Sequence, residues 1–128
     1  LTHALMDAVL GAAGLPDIGA LFRDSDAAYA GISSLVLLRQ VTQRLEQAGY
    51  ALGNADMTVI AQRPRLRPYI DAMREALAQT MKISAARLNI KATTEEGLGF
   101  TGSGAGIACH AVCLLEPLED RKEQQHEK

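Results

Sequence analysis

Segments with helical periodicity alternate with segments of strand periodicity along this chain, and this order constrains its fold more than any other feature. Apolar residues spaced as on one face of a helix predict helices at 1–13, 33–48 and 68–81. Alternating or continuous apolar residues predict strands at 54–62, 88–93 and 107–115. The predicted fold class is therefore α/β in the broad sense (α+β), a sandwich with helices on one face of a sheet.

Residues at the ends of the predicted helices support these limits. Gly14 is suited to end the first helix and Gly49 the second, and Ser33 or Ser34 can cap the start of the second. Pro68 is favoured at the first position of the third helix. Residues 15–31, rich in turn-forming and acidic residues, predict instead a long irregular segment, and such segments usually carry function.

Length and composition suit one compact domain. Of the 128 residues 48% are hydrophobic and 4% aromatic, so a core can form with few large rings to fill it. The predicted domain covers residues 1–115, and a mostly charged C-terminal tail follows over 116–128. A domain this small often gains stability from oligomerisation.

Charge and cysteine usage narrow the class of partner. The net charge of −2 and the pI near 5.9 provide no global attraction to nucleic acid or to an anionic membrane. No apolar run reaches the ~18 residues of a spanning helix. Cys109 and Cys113 lie in one predicted strand, where roughly 13 Å would separate them, too far for a disulfide. We therefore expect reduced thiols in a cytoplasmic protein that binds neither nucleic acid nor membrane.

The run 91–102 combines hydroxyls, carboxylates and glycines where a predicted strand gives way to a loop. Hydroxyls and backbone N–H groups donate to phosphate oxygens, and a carboxylate can hold Mg²⁺ or Mn²⁺ against them. Thr93, Thr94, Glu95 and Glu96 are therefore candidates for binding a phosphate and its metal ion. The same residue types also form ordinary solvated loops, so composition alone leaves that alternative open.

Residues 61–67 place three arginines around Pro64. Such a patch is typical of a nucleic-acid arm or of a solvated basic turn. This patch is short, contains no aromatic residue and belongs to an acidic chain, which argues against nucleic acid.

Four separated motifs occur in an order found in a known enzyme family: Asp17-Ile18-Gly19, Phe22-Arg23-Asp24-Ser25-Asp26, Ala61-Gln62-Arg63-Pro64 and Thr93-Thr94-Glu95-Glu96. With His3-Ala4-Leu5 and Gly106-Ile107-Ala108, they resemble the 2-C-methyl-D-erythritol 2,4-cyclodiphosphate synthases of the non-mevalonate isoprenoid pathway. The resemblance covers residues 1–115. It implies a ferredoxin-like fold assembled as a homotrimer, with the sheets facing the threefold axis and active sites between neighbouring subunits.

The resemblance also implies an activity. A phosphorus–oxygen lyase of this family converts a nucleotide-linked small molecule, 4-diphosphocytidyl-2-C-methyl-D-erythritol 2-phosphate, into 2-C-methyl-D-erythritol 2,4-cyclodiphosphate and CMP. Two other interpretations stay open. One is a non-catalytic nucleotide-binding or trimer-assembly module, and the other is the C-terminal domain of a bifunctional enzyme of the same pathway.

The substrate contacts that the resemblance implies fall into three groups. The erythritol part is held and covered by Asp17, Ile18, Gly19, Phe22, Asp24, Ser25 and Asp26. The cytosine and ribose, with a basic phosphate contact at Arg65, lie against Ala61, Arg63, Pro64, Arg65, Leu66 and Arg67. The phosphates and the region around them meet Thr93, Thr94, Glu95, Glu96, Phe100 and Ser103.

Two metal sites are implied in the same way. His3 falls where the family has a histidine ligand of zinc, and we expect the other two ligands, from an Asp-x-His motif, to precede Leu1. Glu96 matches the carboxylate that holds Mg²⁺ or Mn²⁺ against the diphosphate. Thr94 matches the threonine that stabilises the transition state at phosphorus.

The chain departs from the family pattern at two places. Glu95 stands where a third threonine is common, which puts a carboxylate near anionic phosphates. Ser103 and Ala105 replace an arginine and a glutamate that close a hydrophobic cavity on the threefold axis in the family. We therefore do not expect an isoprenoid diphosphate to bind in that cavity.

Overall fold

The computed structural model describes residues 1–21, 33–61, 67–93 and 107–119, in which three helices come first and the strands follow with a fourth helix among them. The helices are α1 (Thr2–Ala12), α2 (Ile18–Leu21), α3 (Ser34–Gln47) and α4 (Ile70–Met81). The strands are β1 (Tyr50–Ala61), β2 (Leu88–Thr93) and β3 (Ile107–Pro117). The predicted mixture of helices and a sheet is confirmed.

The helix ends follow the residues that predicted them, with two differences. Gly14 adopts a φ of 73° just beyond α1, and the Ser33 hydroxyl accepts a hydrogen bond from the Val36 N–H at 3.3 Å. Pro68, the predicted first residue of the third helix, lies instead in a 3₁₀ turn over Arg67–Tyr69, and α4 begins two residues later, at Ile70. Residues 15–31 are not wholly irregular, because Ile18–Leu21 form the single turn of α2.

The three described strands form one sheet in the order β2-β1-β3. Strand β1 runs parallel to β2 and antiparallel to β3, so that Met57 lies between Ile90 and Ala111. Strand β1 begins at Tyr50, earlier than its alternation predicted, because Tyr50 pairs with Pro117 at the far end of β3. Pairing with a distant partner thus extends both strands beyond their sequence signals.

One face of the sheet, the inner face, is packed against the helices. Its centre is Met57, which is 0% exposed, with Ala55, Val59, Leu88 and Ile90 beside it. The helices contribute the buried residues Leu5, Met6, Val9, Leu10, Leu38, Val41, Leu45, Leu77, Ala78 and Met81. Burial of this apolar surface is the main force that holds the described elements together.

The opposite face, the outer face, is uncovered within the described residues. Val112 and Leu114 on β3 are 71% and 68% exposed there. Beside them the Lys91 ammonium lies 2.8 Å from Asp56 Oδ2, and the Asn89 amide donates to Asp56 Oδ1 at 2.9 Å. These two hydrogen bonds, chiefly the one from Lys91, lower the pKa of the Asp56 carboxyl below its usual value of 3.8.

Cys109 and Cys113 are half-buried on the inner side of β3, where both pack against the core. They do not form a disulfide with each other, as their spacing in one strand predicted. Burial raises the pKa of the Cys113 thiol. Among the helices that the structure describes, none has the length and apolar character needed to cross a membrane.

Candidate functional site

Helix α1 presents two polar side chains to solvent from a firmly anchored backbone. The side of α1 that faces the core is fully buried and consists of Leu5, Met6, Val9 and Leu10. His3 and Asp7 are exposed and lie four positions apart, one helical turn. The packing of α1 against the core therefore fixes the backbone positions from which the side chains of His3 and Asp7 extend.

Asp7 connects α1 to the predicted erythritol-binding motif. Its Oδ1 accepts a hydrogen bond from the Ile18 backbone N–H at 3.1 Å, across eleven positions of sequence. Asp17 Oδ1 accepts from the Ala20 N–H at 2.9 Å and so caps α2. Asp17, Ile18 and Gly19 therefore form the start of a helical turn that is tied to the helix carrying His3.

His3 also borders a cavity. Its Nε2 lies 3.5 Å from the Ser34 hydroxyl at the start of α3, with the donor set by the tautomer of the ring. The cavity beside this pair has a volume of about 410 Å³ and mostly apolar walls. It is lined by Leu1, Thr2, His3, Ser34, Leu35, Met73, Ala76 and Leu77. The pair places an imidazole and a hydroxyl at the edge of an apolar space.

The described side chains around His3 do not complete a zinc site. A structural or catalytic zinc ion needs at least three protein ligands. Among the described residues, no three His, Cys, Asp or Glu side chains are placed to hold a metal ion. His3 supplies one imidazole, so these residues do not fit zinc by themselves, and they assign no step of a reaction to it.

A second group of predicted residues meets at one edge of the sheet. Parallel strands β1 and β2 reach that edge together, because Ile60 pairs with Thr93. Ala61 ends β1, and the Arg67 guanidinium returns to donate to the Ala92 carbonyl of β2 at 3.4 Å. Strands β1 and β2 therefore end side by side at this edge, where Arg67 also lies.

The remaining predicted site residues lie outside the described residues. They are Phe22, Asp24, Ser25, Asp26, Arg63, Pro64, Arg65, Leu66, Thr94, Glu95, Glu96, Phe100 and Ser103. Within the described part of the chain, no hydrogen bond or ion pair joins the group around His3 to the group around Thr93. The two groups are thus separate clusters of candidate residues.

Two side chains at these clusters were not among the predicted site residues. One is Asp7, whose contact with Ile18 depends on how the chain folds back after α1. Ser34 was considered as a helix cap, but Ser33 is the cap and Ser34 faces His3. A polar residue one turn from a candidate ligand is the signal that sequence could have offered for Asp7.

Comparison with known proteins places these residues in a wider group. Residues 1–116 match the YgbB family. The chain is 54% identical over 120 residues to the 2-C-methyl-D-erythritol 2,4-cyclodiphosphate synthase of Lachnospira eligens, covering 94% of this chain and 66% of that relative. The chain thus spans about two thirds of the length of that protein.

Solved structures are similar as well. The bifunctional IspDF of Campylobacter jejuni superposes with a TM-score of 0.87 at 41% identity, over 91% of this chain and 32% of that one. A complex of IspF from Plasmodium falciparum with CDP gives a TM-score of 0.79 at 31% identity, over 91% of this chain and 69% of that one.

Proposed function

This chain belongs to the YgbB family, as its sequence motifs indicated, and we propose that it catalyses the reaction after which its relatives are named. The substrate would be 4-diphosphocytidyl-2-C-methyl-D-erythritol 2-phosphate, and the products 2-C-methyl-D-erythritol 2,4-cyclodiphosphate and CMP. The observation that carries the proposal is 54% identity, over 120 residues, to a synthase of that name. The names of the relatives favour this enzyme over a binding module.

The chemistry needs no nucleophile from the protein. An oxygen of the substrate's own 2-phosphate attacks the β-phosphorus, and the new P–O bond closes the ring. The bond from the β-phosphorus to the oxygen that bridges to the α-phosphorus breaks, and CMP leaves with that electron pair. The protein must therefore bend the substrate, align the attack in line and neutralise charge.

The group around His3 is suited to the erythritol end. The turn that begins at Asp17 is fixed to α1 and presents exposed backbone at Gly19. A methyl group added at Gly19 would meet Asp17 Oδ1 at an ordinary 3.5 Å, so packing does not demand glycine there. This supports a role for Gly19 in the close approach of a ligand.

The group at the sheet edge is suited to the nucleotide and phosphates. The hydroxyl of Thr93 is exposed at the end of β2, next to the carbonyl that Arg67 holds. We assign a phosphate contact to Thr93, charge stabilisation to Thr94, and a divalent ion, Mg²⁺ or Mn²⁺, to Glu96, with Glu95 beside it in the same substrate-binding run. The nucleotide would lie along the basic segment 61–67, as the resemblance implies, and the structure of the Plasmodium relative as a CDP complex supports nucleotide binding in general.

We also propose that His3 contributes one ligand of a zinc ion whose remaining ligands come from outside the described residues. An imidazole nitrogen is a common zinc ligand. When bound, such an ion would polarise phosphate oxygens. The contact between His3 Nε2 and the Ser34 hydroxyl would orient the ring. Nδ1, the other ring nitrogen, would then be the atom that binds the ion.

We further propose a cytoplasmic homotrimer of ferredoxin-like subunits, and the outer face supports the part of this proposal that concerns a contact between subunits. Val112 and Leu114 are large apolar side chains, and more than two thirds of the surface of each is exposed. Such a surface is characteristic of a contact between proteins. Packing of three sheets around an axis would bury it and could bring the two clusters of neighbouring subunits together.

The test is the release of CMP from the substrate by wild type and by Glu96→Ala, with zinc content measured on the same samples. We expect turnover in wild type with about one zinc per chain, in line with a single catalytic site. Glu96→Ala should lose turnover by at least ~100-fold because the diphosphate charge is no longer compensated. Glu46→Ala, which removes an exposed carboxylate at the end of α3, is the matched control and should stay active.

Two results would contradict the proposal. A wild type that binds CDP but releases no CMP from the substrate would indicate a nucleotide-binding module. A Glu96→Ala protein that keeps full activity would remove the role given to Glu96.

A further inference from the structure

We propose that Asp7 is a positioning residue, which holds the Asp17–Gly19 backbone in the geometry that binds the erythritol part of the substrate. This inference rests on the proposed function. Asp7 contacts the backbone amide of Ile18 and would act on the substrate only through the Asp17–Gly19 segment. The observation behind it is the 3.1 Å hydrogen bond from the Ile18 N–H to Asp7 Oδ1.

The acceptor is well placed because α1 cannot move independently of the core. Asp7 lies between Met6 and Val9, which are both 0% exposed. A short aspartate side chain has few rotamers, so its carboxylate is confined close to the helix. Asp7 therefore offers a fixed point on the helix that also carries His3.

The segment that Asp7 holds is only partly packed, through the half-buried side chains of Ile18 and Leu21. Ile18 is half-buried, while Asp17 and Gly19 are exposed, and no residue of α2 is fully buried. A single helical turn is not stable without outside contacts, since closing the first turn costs more than its one or two hydrogen bonds return. The Asp7 carboxylate satisfies an N–H that the first turn of any helix leaves open.

Asp17 completes the arrangement from within the segment. Its Oδ1 accepts from the Ala20 N–H at 2.9 Å, and its carbonyl accepts from the Leu21 N–H at 3.0 Å. Asp17 thus shapes the turn, and Asp7 sets where the turn sits relative to α1. Without Asp7 the turn can still form, but only the half-buried contacts of Ile18 and Leu21 with the core then hold it against α1.

Comparing the binding of the substrate with the binding of CDP distinguishes a positioning role of Asp7 from a general contribution to the stability of the fold. CDP shares the nucleotide end of the substrate and lacks the erythritol end. If Asp7 positions only the Asp17–Gly19 segment, its removal weakens substrate binding and leaves CDP binding intact. If Asp7 supports the whole fold, both affinities fall together.

The experiment compares Asp7→Ala and Asp7→Asn with wild type in the intact protein. Each is assayed for kcat and KM with the substrate, and for CDP affinity by calorimetry. We expect Asp7→Ala to raise KM roughly three- to tenfold, the effect of one lost hydrogen bond, with CDP affinity unchanged. Asp7→Asn keeps an oxygen that can accept from Ile18 and should restore most of the wild-type KM.

The control is Asp71→Ala, which removes an exposed carboxylate from the first turn of α4, away from Ile18. It should leave both KM and CDP affinity unchanged. A KM unchanged in Asp7→Ala, or a loss of CDP affinity by the same factor, would overturn the inference. A wild type without turnover would instead overturn the proposed function, and with it the premise of this inference.

A second measurement does not depend on how well the Ala variant folds. Amide hydrogen exchange of Ile18 in the wild-type protein should be slowed relative to an unstructured peptide because its N–H is engaged. Exchange of Ile18 at the unprotected rate would show that Asp7 does not hold the segment.

Discussion

The two faces of the sheet use the same strands in opposite ways. On the inner face Met57 is completely buried among helix side chains, whereas on the outer face Val112 and Leu114 are 71% and 68% exposed. The apolar side chains of the inner face are buried by helices of the same chain. The outer face combines apolar side chains with the Asp56–Lys91 ion pair and has no cover among the described residues. Successive residues of one strand point to opposite faces of the sheet. We therefore expect folding to depend on the residues of the inner face and assembly to depend on those of the outer face.

Met57→Ala should have the largest effect, on the stability of the subunit. Its side chain is 0% exposed, so truncation leaves a cavity and should lower the free energy of unfolding by about 2–5 kcal/mol. Denaturant unfolding followed by circular dichroism measures this. Thr58→Ala, the adjacent residue on the other face, is the control, with an expected change of about 0.5 kcal/mol. Equal losses for the two variants would show that the faces do not differ.

Leu114→Asp should act on assembly rather than on the subunit fold. A carboxylate at a position that is 68% exposed in the single chain costs little there but is unfavourable in an apolar contact between subunits. We expect light scattering to show smaller species and circular dichroism to show unchanged helix content. Gln43→Asp adds the same charge to the exposed side of α3 and should keep the wild-type mass. A Leu114→Asp protein of wild-type mass would place the subunit contact elsewhere.

The smallest effect is expected from the ion pair on the outer face. Because Lys91 lowers the pKa of Asp56, the folded protein favours the ionised carboxylate more than the unfolded chain does. The pair therefore stabilises above the unfolded value of 3.8, and this contribution disappears as pH falls through the lower folded pKa. Lys91→Met should unfold at a slightly lower temperature than wild type at pH 7, and the difference should shrink below pH 3.8 and vanish once the pH is below the folded pKa of Asp56. A difference that persists unchanged to pH 2 would exclude Asp56 as its origin.

Periodicity predicted the regular elements because each depends on near neighbours in sequence. Strand β2 begins at Leu88 and ends at Thr93, as its alternation predicted. The errors lie where local patterns are too short or where a distant partner extends an element. The single turn of α2 has no period to detect, and Tyr50 joins β1 because Pro117 pairs with it.

The candidate site divides in the same way. The order of the motifs, through their resemblance to a known family, predicted His3 and Asp17 as binding residues, and the composition of its run also indicated Thr93. The contact of Arg67 with the carbonyl of Ala92 could not be predicted, since 25 positions separate the two. Ser34 was likewise hidden, as 31 positions separate it from His3.

The sequence by itself determined the element types, the chemical groups available and the family to which they belong. Local spacing and composition are sufficient for these, because they reflect backbone preference and the identity of side chains. Tertiary structure alone decided that Asp7 reaches Ile18, that β1 lies between β2 and β3, and that Val112 faces outward. Each of these depends on where the chain reverses, and the burial of apolar surface over the whole domain sets those reversals.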